Sequence, residues 1–328
     1  MLEVSMDPIV SKMRNIGIIP VVKIDDETKA VPLAKALIAG GIPCAEVTFR
    51  TAQAEEAIKR ISQSCPEMLV GAGTVINVEL AKKAISAGAK FIVSPGFNPS
   101  VVDYCISQKV PIVPGVTSPS QIEQALEKGL TELKFFPAEQ SGGVSMLDAL
   151  GGPFPQVSFM PTGGISSANL GDYIKRKNVI ACGGSWMVKA DLIESENWNE
   201  ITKLSKEAVC AVHGFSFAHM GINQQDVQEA KETASLFAAF GFALNRDGET
   251  SVFAGSEFEV MKSVVRGKNG HIGLKTWDIE RALAYLEQFG FKPVAETQKY
   301  TGKEGQSPLK FTYLDKEAGG FAIHLMRA

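Results

Sequence analysis

Between residue 17 and about residue 213, short apolar runs rich in β-branched residues alternate with stretches whose apolar positions recur at spacings of three and four. The first kind of segment predicts strands over 17–23, 45–49, 69–74, 91–94, 111–116, 132–135, 157–162 and 179–183. The second predicts helices between them, among them 27–38, 54–61, 78–87, 118–127 and 168–175. Many strand segments are apolar almost throughout and end in Gly, Pro, Thr or Ser, as strands do when both faces are covered and the chain then enters a loop. Gly40-Gly41, Gly88 and Gly129 stand where a helix ends and the chain turns back. Eight such units in about 200 residues predict an α/β fold, a compact (β/α)8 TIM barrel.

After His213 the rhythm changes. A strand, a helix and a run of strands begin near His219, and the same plan starts again at His271. The two copies open alike, with Ala218-His219-Met220-Gly221-Ile222 and Gly270-His271-Ile272-Gly273-Leu274, and each carries Phe-Gly-Phe after its helix, at 240–242 and 289–291. This is an internal duplication of about 50 residues. The expected organisation is a barrel domain over 1–213 and a smaller α+β domain over 214–328, linked by a helix over 198–212. Residues 298–310, rich in Lys, Gly, Gln and Ser, are expected to form an exposed loop.

Composition narrows the function. A net charge of -3 lacks the basic footprint that nucleic-acid or anionic-membrane binding needs, which favours small-molecule chemistry. The five cysteines are scattered without a C-x-x-C pair, so reduced thiols in a cytoplasmic protein are expected. No run reaches the roughly 18 uninterrupted apolar residues of a membrane span.

In such a barrel the active site lies at the C-terminal ends of the strands. Four polar residues stand out there: Glu46 in the second strand, Arg50 just past it, Thr74 ending the third, and Lys134 in the sixth, within Leu133-Lys134-Phe135-Phe136-Pro137. A lysine pointing into the barrel loses hydration of its ammonium form, which favours the free amine, and a free amine attacks a ketone to give an imine. The imine draws electrons from the adjacent carbon and permits carbon–carbon cleavage. A carboxylate in the same apolar setting, Glu46, suits the proton transfers. Arg50 offers a planar fork for a substrate carboxylate, and Thr74 a supporting hydroxyl. The competing reading is a buried Glu46–Lys134 ion pair without chemistry.

A second constellation is Thr162-Gly163-Gly164-Ile165-Ser166 after strand seven, with Gly183-Gly184-Ser185 after strand eight. Glycines bring backbone N–H groups close to an anion, and these two loops often hold phosphate in such barrels. Tight turns without a ligand are the alternative.

The stretches 41–50, 70–75, 129–139 and 161–166, together with Gly183-Gly184-Ser185-Trp186, closely resemble the 2-keto-3-deoxy-6-phosphogluconate aldolase family, also named for 4-hydroxy-2-oxoglutarate cleavage. The likeness runs from about residue 10 to residue 212. It implies a cofactor-independent class I aldolase, a homotrimer of barrels, that cleaves a phosphorylated or dicarboxylic keto acid to pyruvate and an aldehyde. Lys134 matches the Schiff-base lysine, Glu46 the general acid/base, and Arg50 with Thr74 the pyruvate-carboxylate contacts. Gly163, Gly164, Gly184 and Ser185 match the phosphate grip, beside Thr162. The chain departs from the pattern at Gly17-Ile18-Ile19-Pro20, where some members carry an arginine that helps hold phosphate.

The C-terminal part resembles the glyoxalase/bleomycin-resistance, or vicinal-oxygen-chelate, superfamily of paired βαβββ modules. The resemblance implies metal-ligand positions at His219, Glu259, His271 and His324, although many members bind a ligand without metal, and no metal is assigned on sequence. Three functions compete. The barrel is the aldolase; or the barrel only binds a phosphate ligand while the C-terminal part is a metal-dependent glyoxalase-like enzyme; or the C-terminal part regulates or assembles.

Overall fold

The structure is a computed structural model that describes residues 7–303 and 307–328. The chain divides into two compact units, Met1–Val212 and His213–Ala328.

In the first unit, β1 (Ile18–Val22), β2 (Cys44–Thr48), β3 (Leu69–Gly73), β4 (Ile92–Val93) and β5 (Ile112–Val113) lie side by side. They are followed by β6 (Gly115–Val116), β7 (Glu132–Phe135), β8 (Ser158–Pro161) and β9 (Cys182–Gly184). Every pairing is parallel. β5 and β6 are one barrel strand interrupted at Pro114, whose missing N–H cannot join a ladder. Parallel bridges Phe159–Val179 and Thr162–Gly183 join β8 to β9, and β9 pairs with β1. The ring therefore closes as an eight-stranded TIM barrel.

Helix boundaries differ from the sequence reading where proline intervenes. The helix expected over 27–38 is a 3-10 turn, Glu27–Lys29, followed by an α-helix, Ala30–Ala39. Pro32 lacks a backbone N–H and clashes with the carbonyl four residues earlier, so the α-helix starts late enough to keep it in the first turn. Further helices not named from sequence are Pro8–Ile16, Pro99–Ser107 and Gly143–Gly151. Val10 and Met13 of the first are buried in one cluster with Cys44 and Leu69, the opening residues of β2 and β3. That helix seals the N-terminal end of the barrel and leaves the C-terminal end for the site.

The second unit is one eight-stranded sheet. Its strands are β10 (Ser216–Asn223), β11 (Leu244–Asp247), β12 (Ser251–Ala254), β13 (Phe258–Met261), β14 (Gly270–Thr276), β15 (Lys299–Tyr300), β16 (Leu309–Ala318) and β17 (Phe321–Arg327). The order β11-β12-β13-β10-β14-β17-β16-β15 is the same βαβββ arrangement twice, joined where β10 and β14 pair antiparallel. Each module's helix, Val227–Ala238 or Ile279–Glu287, is started by an aspartate, Asp226 or Asp278, whose side chain accepts orphan N–H groups of the first turn. The loop expected over 298–310 is in part strand: Lys299 and Tyr300 pair with Phe311 and Leu309, while 304–306 lie outside the described residues.

All five cysteines are free thiols, and among the described residues no helix is long and apolar enough to cross a membrane.

Candidate active site and metal centre

Glu46 stands in the middle of β2 between Val21 and Gly71, and Lys134 in β7 between Gly115 and Met160. Both side chains turn into the barrel. The Lys134 ammonium nitrogen lies 3.2 Å from Glu46 Oε1 and 3.5 Å from Oε2. Their side chains are 6% and 1% exposed, so neither charge is hydrated and each depends on the other. The Phe136 ring lies 5.2 Å from Lys134 Nζ and dries that side of the amine.

Gly73 makes room for this pair. A Cβ at that position would collide with the Glu46 carboxylate. The Gly71-Ala72-Gly73 run therefore does more than end a strand, a role that no spacing rule announces. Thr74, directly after β3, has φ 59°, a left-handed conformation that strains a β-branched residue by about 1–3 kcal/mol. In that conformation its hydroxyl accepts from Arg50 Nε at 3.4 Å.

Beyond Arg50 and Phe136 opens a cavity of about 430 Å³, lined also by Thr162, Gly163, Gly164, Gly184 and Ser185. All nine residues singled out in the barrel thus gather at one end of it. Gly163 and Gly164 both have positive φ, 99° and 78°, which suits glycine and exposes the backbone of the turn. The turn is braced from one side: the N–H groups of Ala138 and Glu139 donate to the carbonyls of Thr162 and Gly163 at 2.8 and 3.1 Å. The Tyr173 hydroxyl donates to the Glu139 carboxylate, and the stem of Glu139 fills the space over Gly164. Two cations missed in the sequence also line the cavity, Lys23 and Lys189. Lys23 is held by Asp25 at 2.8 Å, whereas Lys189 makes no ion pair among the described residues.

With this geometry in view, a family model described as KDPG and KHG aldolase matches residues 9–204. The chain belongs to the KDPG and KHG aldolase family. A 2-dehydro-3-deoxy-phosphogluconate aldolase of Treponema pallidum is 50% identical over 204 residues, 62% of this chain and 97% of the relative. The KHG/KDPG aldolase of Escherichia coli is 46% identical over 192 residues, 58% of this chain and 90% of the relative. Among solved structures, KDPG aldolase from Legionella pneumophila, with pyruvate captured as a covalent carbinolamine, superposes with a TM-score of 0.59 at 41% identity. That match covers 61% of this chain and 97% of the other. The aldolase is thus a carbon–carbon lyase, and the reading of its barrel as a binding domain alone falls away. Residues 205–328 lie outside the family match.

The second unit assembles its own cluster. His219 on β10, His271 on β14, Glu259 on β13 and His324 on β17 converge on one face of the sheet. His219 Nε2 lies 3.2 Å from both His271 Nε2 and His324 Nε2, and Glu259 Oε2 lies 3.3 Å from His219 and His271. A ring nitrogen has one proton or one lone pair in its plane, so His219 Nε2 cannot satisfy three such neighbours by hydrogen bonding. The three histidines can each offer a nitrogen to one metal ion, these ligand atoms lying within 4.8 Å of one another, and Glu259 stands beside two of them.

Other features support the same cluster. Gly221 and Gly273, two residues after His219 and His271, vacate the space the rings occupy: a Cβ at Gly221 would strike His271, and one at Gly273 would crowd His219 and His324. The repeated His-x-Gly was the readable trace of this packing. Burial lowers the His219 pKa, and burial with its two imidazole neighbours takes that of His324 to about 3, so these rings stay neutral and able to ligate near pH 7. Burial would raise the Glu259 pKa, but hydrogen bonding to His271 and Ser251 outweighs it and keeps the carboxyl ionised. The fourth histidine, His213, is packed between Phe215 and Tyr285 and stands outside the cluster.

Proposed function

We propose that Lys134 is the imine-forming residue of this aldolase and Glu46 its proton carrier, acting on 2-keto-3-deoxy-6-phosphogluconate and on the shorter 4-hydroxy-2-oxoglutarate. The observation that carries the reading is the dry Lys134–Glu46 contact, covered by Phe136 at the edge of a cavity that Arg50, Lys23, Lys189 and two glycine turns line. Lys134 Nζ attacks the C2 ketone, and the carbinolamine loses water to give a protonated imine. Glu46 takes the proton of the C4 hydroxyl as the C3–C4 bond breaks, which releases glyceraldehyde 3-phosphate and leaves an enamine. Glu46 returns the proton to C3, and water then frees pyruvate and the amine. Arg50, set by Thr74, holds the substrate carboxylate, while Thr162, Gly163, Gly164, Gly184 and Ser185 receive the phosphate. The reading includes a cytoplasmic homotrimer, which rests on the family resemblance and is checked by native mass.

Lys189 supplies the charge at the phosphate end that the first strand lacks. Loss of one charge-assisted hydrogen bond at this exposed position is expected to raise KM about 10-fold in Lys189→Ala with the phosphorylated substrate, at nearly unchanged kcat. With 4-hydroxy-2-oxoglutarate, which carries no phosphate, KM should move by less than about 2-fold. Equal effects on both substrates would place Lys189 away from the phosphate.

For the second unit, the paired βαβββ topology supports a module of the vicinal-oxygen-chelate kind, and the converging donors support a divalent transition metal held by His219, His271, His324 and Glu259. Bound there, such a metal supplies a Lewis acid. The check is metal content of the full chain after zinc loading and dialysis. One equivalent is expected, kept in Lys134→Ala and lost in His271→Ala; zinc retention equal in all three would refute the assignment.

A further inference from the structure

The glycine turn after β8 has all its carbonyls tied back. Those of Thr162 and Gly163 accept from the N–H groups of Ala138 and Glu139, and that of Gly164 accepts from the Asn169 side chain at 3.1 Å. The N–H groups of Gly164 and Ile165 have no acceptor among the described residues. With its carbonyls engaged, the turn offers an anion its N–H side.

The segment that ties this turn is the one that carries the imine lysine. Thr162 N–H also donates to the Phe135 carbonyl at 2.9 Å, so Phe135, Ala138 and Glu139, all within five positions of Lys134, hold the turn through three backbone bonds. The place of the turn relative to Lys134 therefore depends on the shape of residues 135–139.

One side-chain contact fixes that shape at its far end. Glu139 is exposed, yet its carboxylate accepts from the hydroxyl of Tyr173, a residue 1% exposed in the helix Leu170–Ile174. Two glycines leave room for the contact. A Cβ at Gly143 would lie 3.1 Å from the Tyr173 hydroxyl and 3.4 Å from Glu139 Oε1, and one at Gly164 would strike the Glu139 stem. Burial, and after it the hydrogen bond to Glu139, raises the Tyr173 pKa, so the hydroxyl remains a donor around pH 7. The contact thus joins a core residue, the end of the Lys134 segment and the glycine turn.

We propose that Tyr173, acting through Glu139, is a positioning residue that sets the glycine turn at a fixed reach from Lys134 and so selects the phosphorylated six-carbon keto acid over the short dicarboxylic one. The proposal rests on the reading above that the turn receives phosphate. A substrate held at C2 by the amine and at C6 by the turn senses that reach. 4-Hydroxy-2-oxoglutarate, which carries no phosphate, does not.

The test is steady-state cleavage of both substrates by the full chain, with thermal unfolding alongside. In Tyr173→Phe, KM for the phosphorylated acid is expected to rise about 10-fold, while its kcat and both constants for 4-hydroxy-2-oxoglutarate stay within about 2-fold of the parent. Glu139→Ala should repeat this pattern. Glu139→Gln, whose amide oxygen still accepts from the tyrosine, should stay within about 3-fold of the parent on both substrates. The double variant Tyr173→Phe/Glu139→Ala should be no worse than the weaker single one, because the two residues form one link. Glu139 is exposed, so its variants carry the test even where Tyr173→Phe loses stability. Equal loss on both substrates, or no loss on either, overturns the proposal and leaves the phosphate reading standing. A parent chain whose KM for the phosphorylated acid is no lower than for the short one overturns both.

Discussion

Lys134→Ala is expected to lose cleavage of the phosphorylated keto acid by on the order of 10⁴-fold or more, because it removes the only covalent step the site offers. That is about 5 kcal/mol of transition-state stabilisation. The substitution also leaves Glu46 buried without its cation, which costs about 3–5 kcal/mol of stability unless the carboxyl takes up a proton. Circular dichroism and thermal unfolding of the variant must therefore accompany the assay. Lys134→Arg separates the two effects. The guanidinium keeps a positive charge beside Glu46 yet does not deprotonate, so it cannot form the imine. Both variants should be inactive, with Lys134→Arg the more stable of the two; turnover in either folded variant would remove Lys134 from its role.

Glu46→Gln is expected to reduce turnover by roughly 10²- to 10⁴-fold while the imine with pyruvate still forms. The amide is the same size and can still accept a hydrogen bond from Lys134, 3.2 Å away in the parent chain. It cannot carry a proton between the C4 hydroxyl and C3. The same proton transfer interconverts imine and enamine, so hydrogen–deuterium exchange at the methyl group of pyruvate should fall together with cleavage. Exchange at the parental rate, measured by proton NMR, would show that another group moves the proton.

Much of the barrel was legible because a parallel sheet buried on both faces leaves apolar runs of four to six residues between helices of fixed period. Lys134 and Glu46 were visible for the same reason, as charges inside such runs. What the chain does not display is which residues 88 positions apart face each other across a closed ring, so the service of Gly73 to Glu46 appeared only in three dimensions. Lys189 was passed over because a lysine at the start of a short helix resembles any solvated charge. The late start of the helix at Ala30 could have been read from Pro32.

In the second unit the duplication was legible from the paired openings, and all four cluster residues were named as candidates. Their convergence was not readable, since it depends on β10 and β14 pairing antiparallel with β13 and β17 on their flanks. The strand at Lys299–Tyr300 was hidden by its polar composition: an edge strand needs few apolar residues, and its cation faces outward over Phe311.

The most direct test of the imine mechanism is borohydride trapping on the full chain. The protein is incubated with pyruvate, reduced and digested, and the peptides are read by mass spectrometry. A reduced pyruvyl adduct on the peptide that contains Lys134, absent from Lys134→Arg, is the predicted result. Folded protein with an unmodified Lys134, or with the adduct on another lysine, would contradict it.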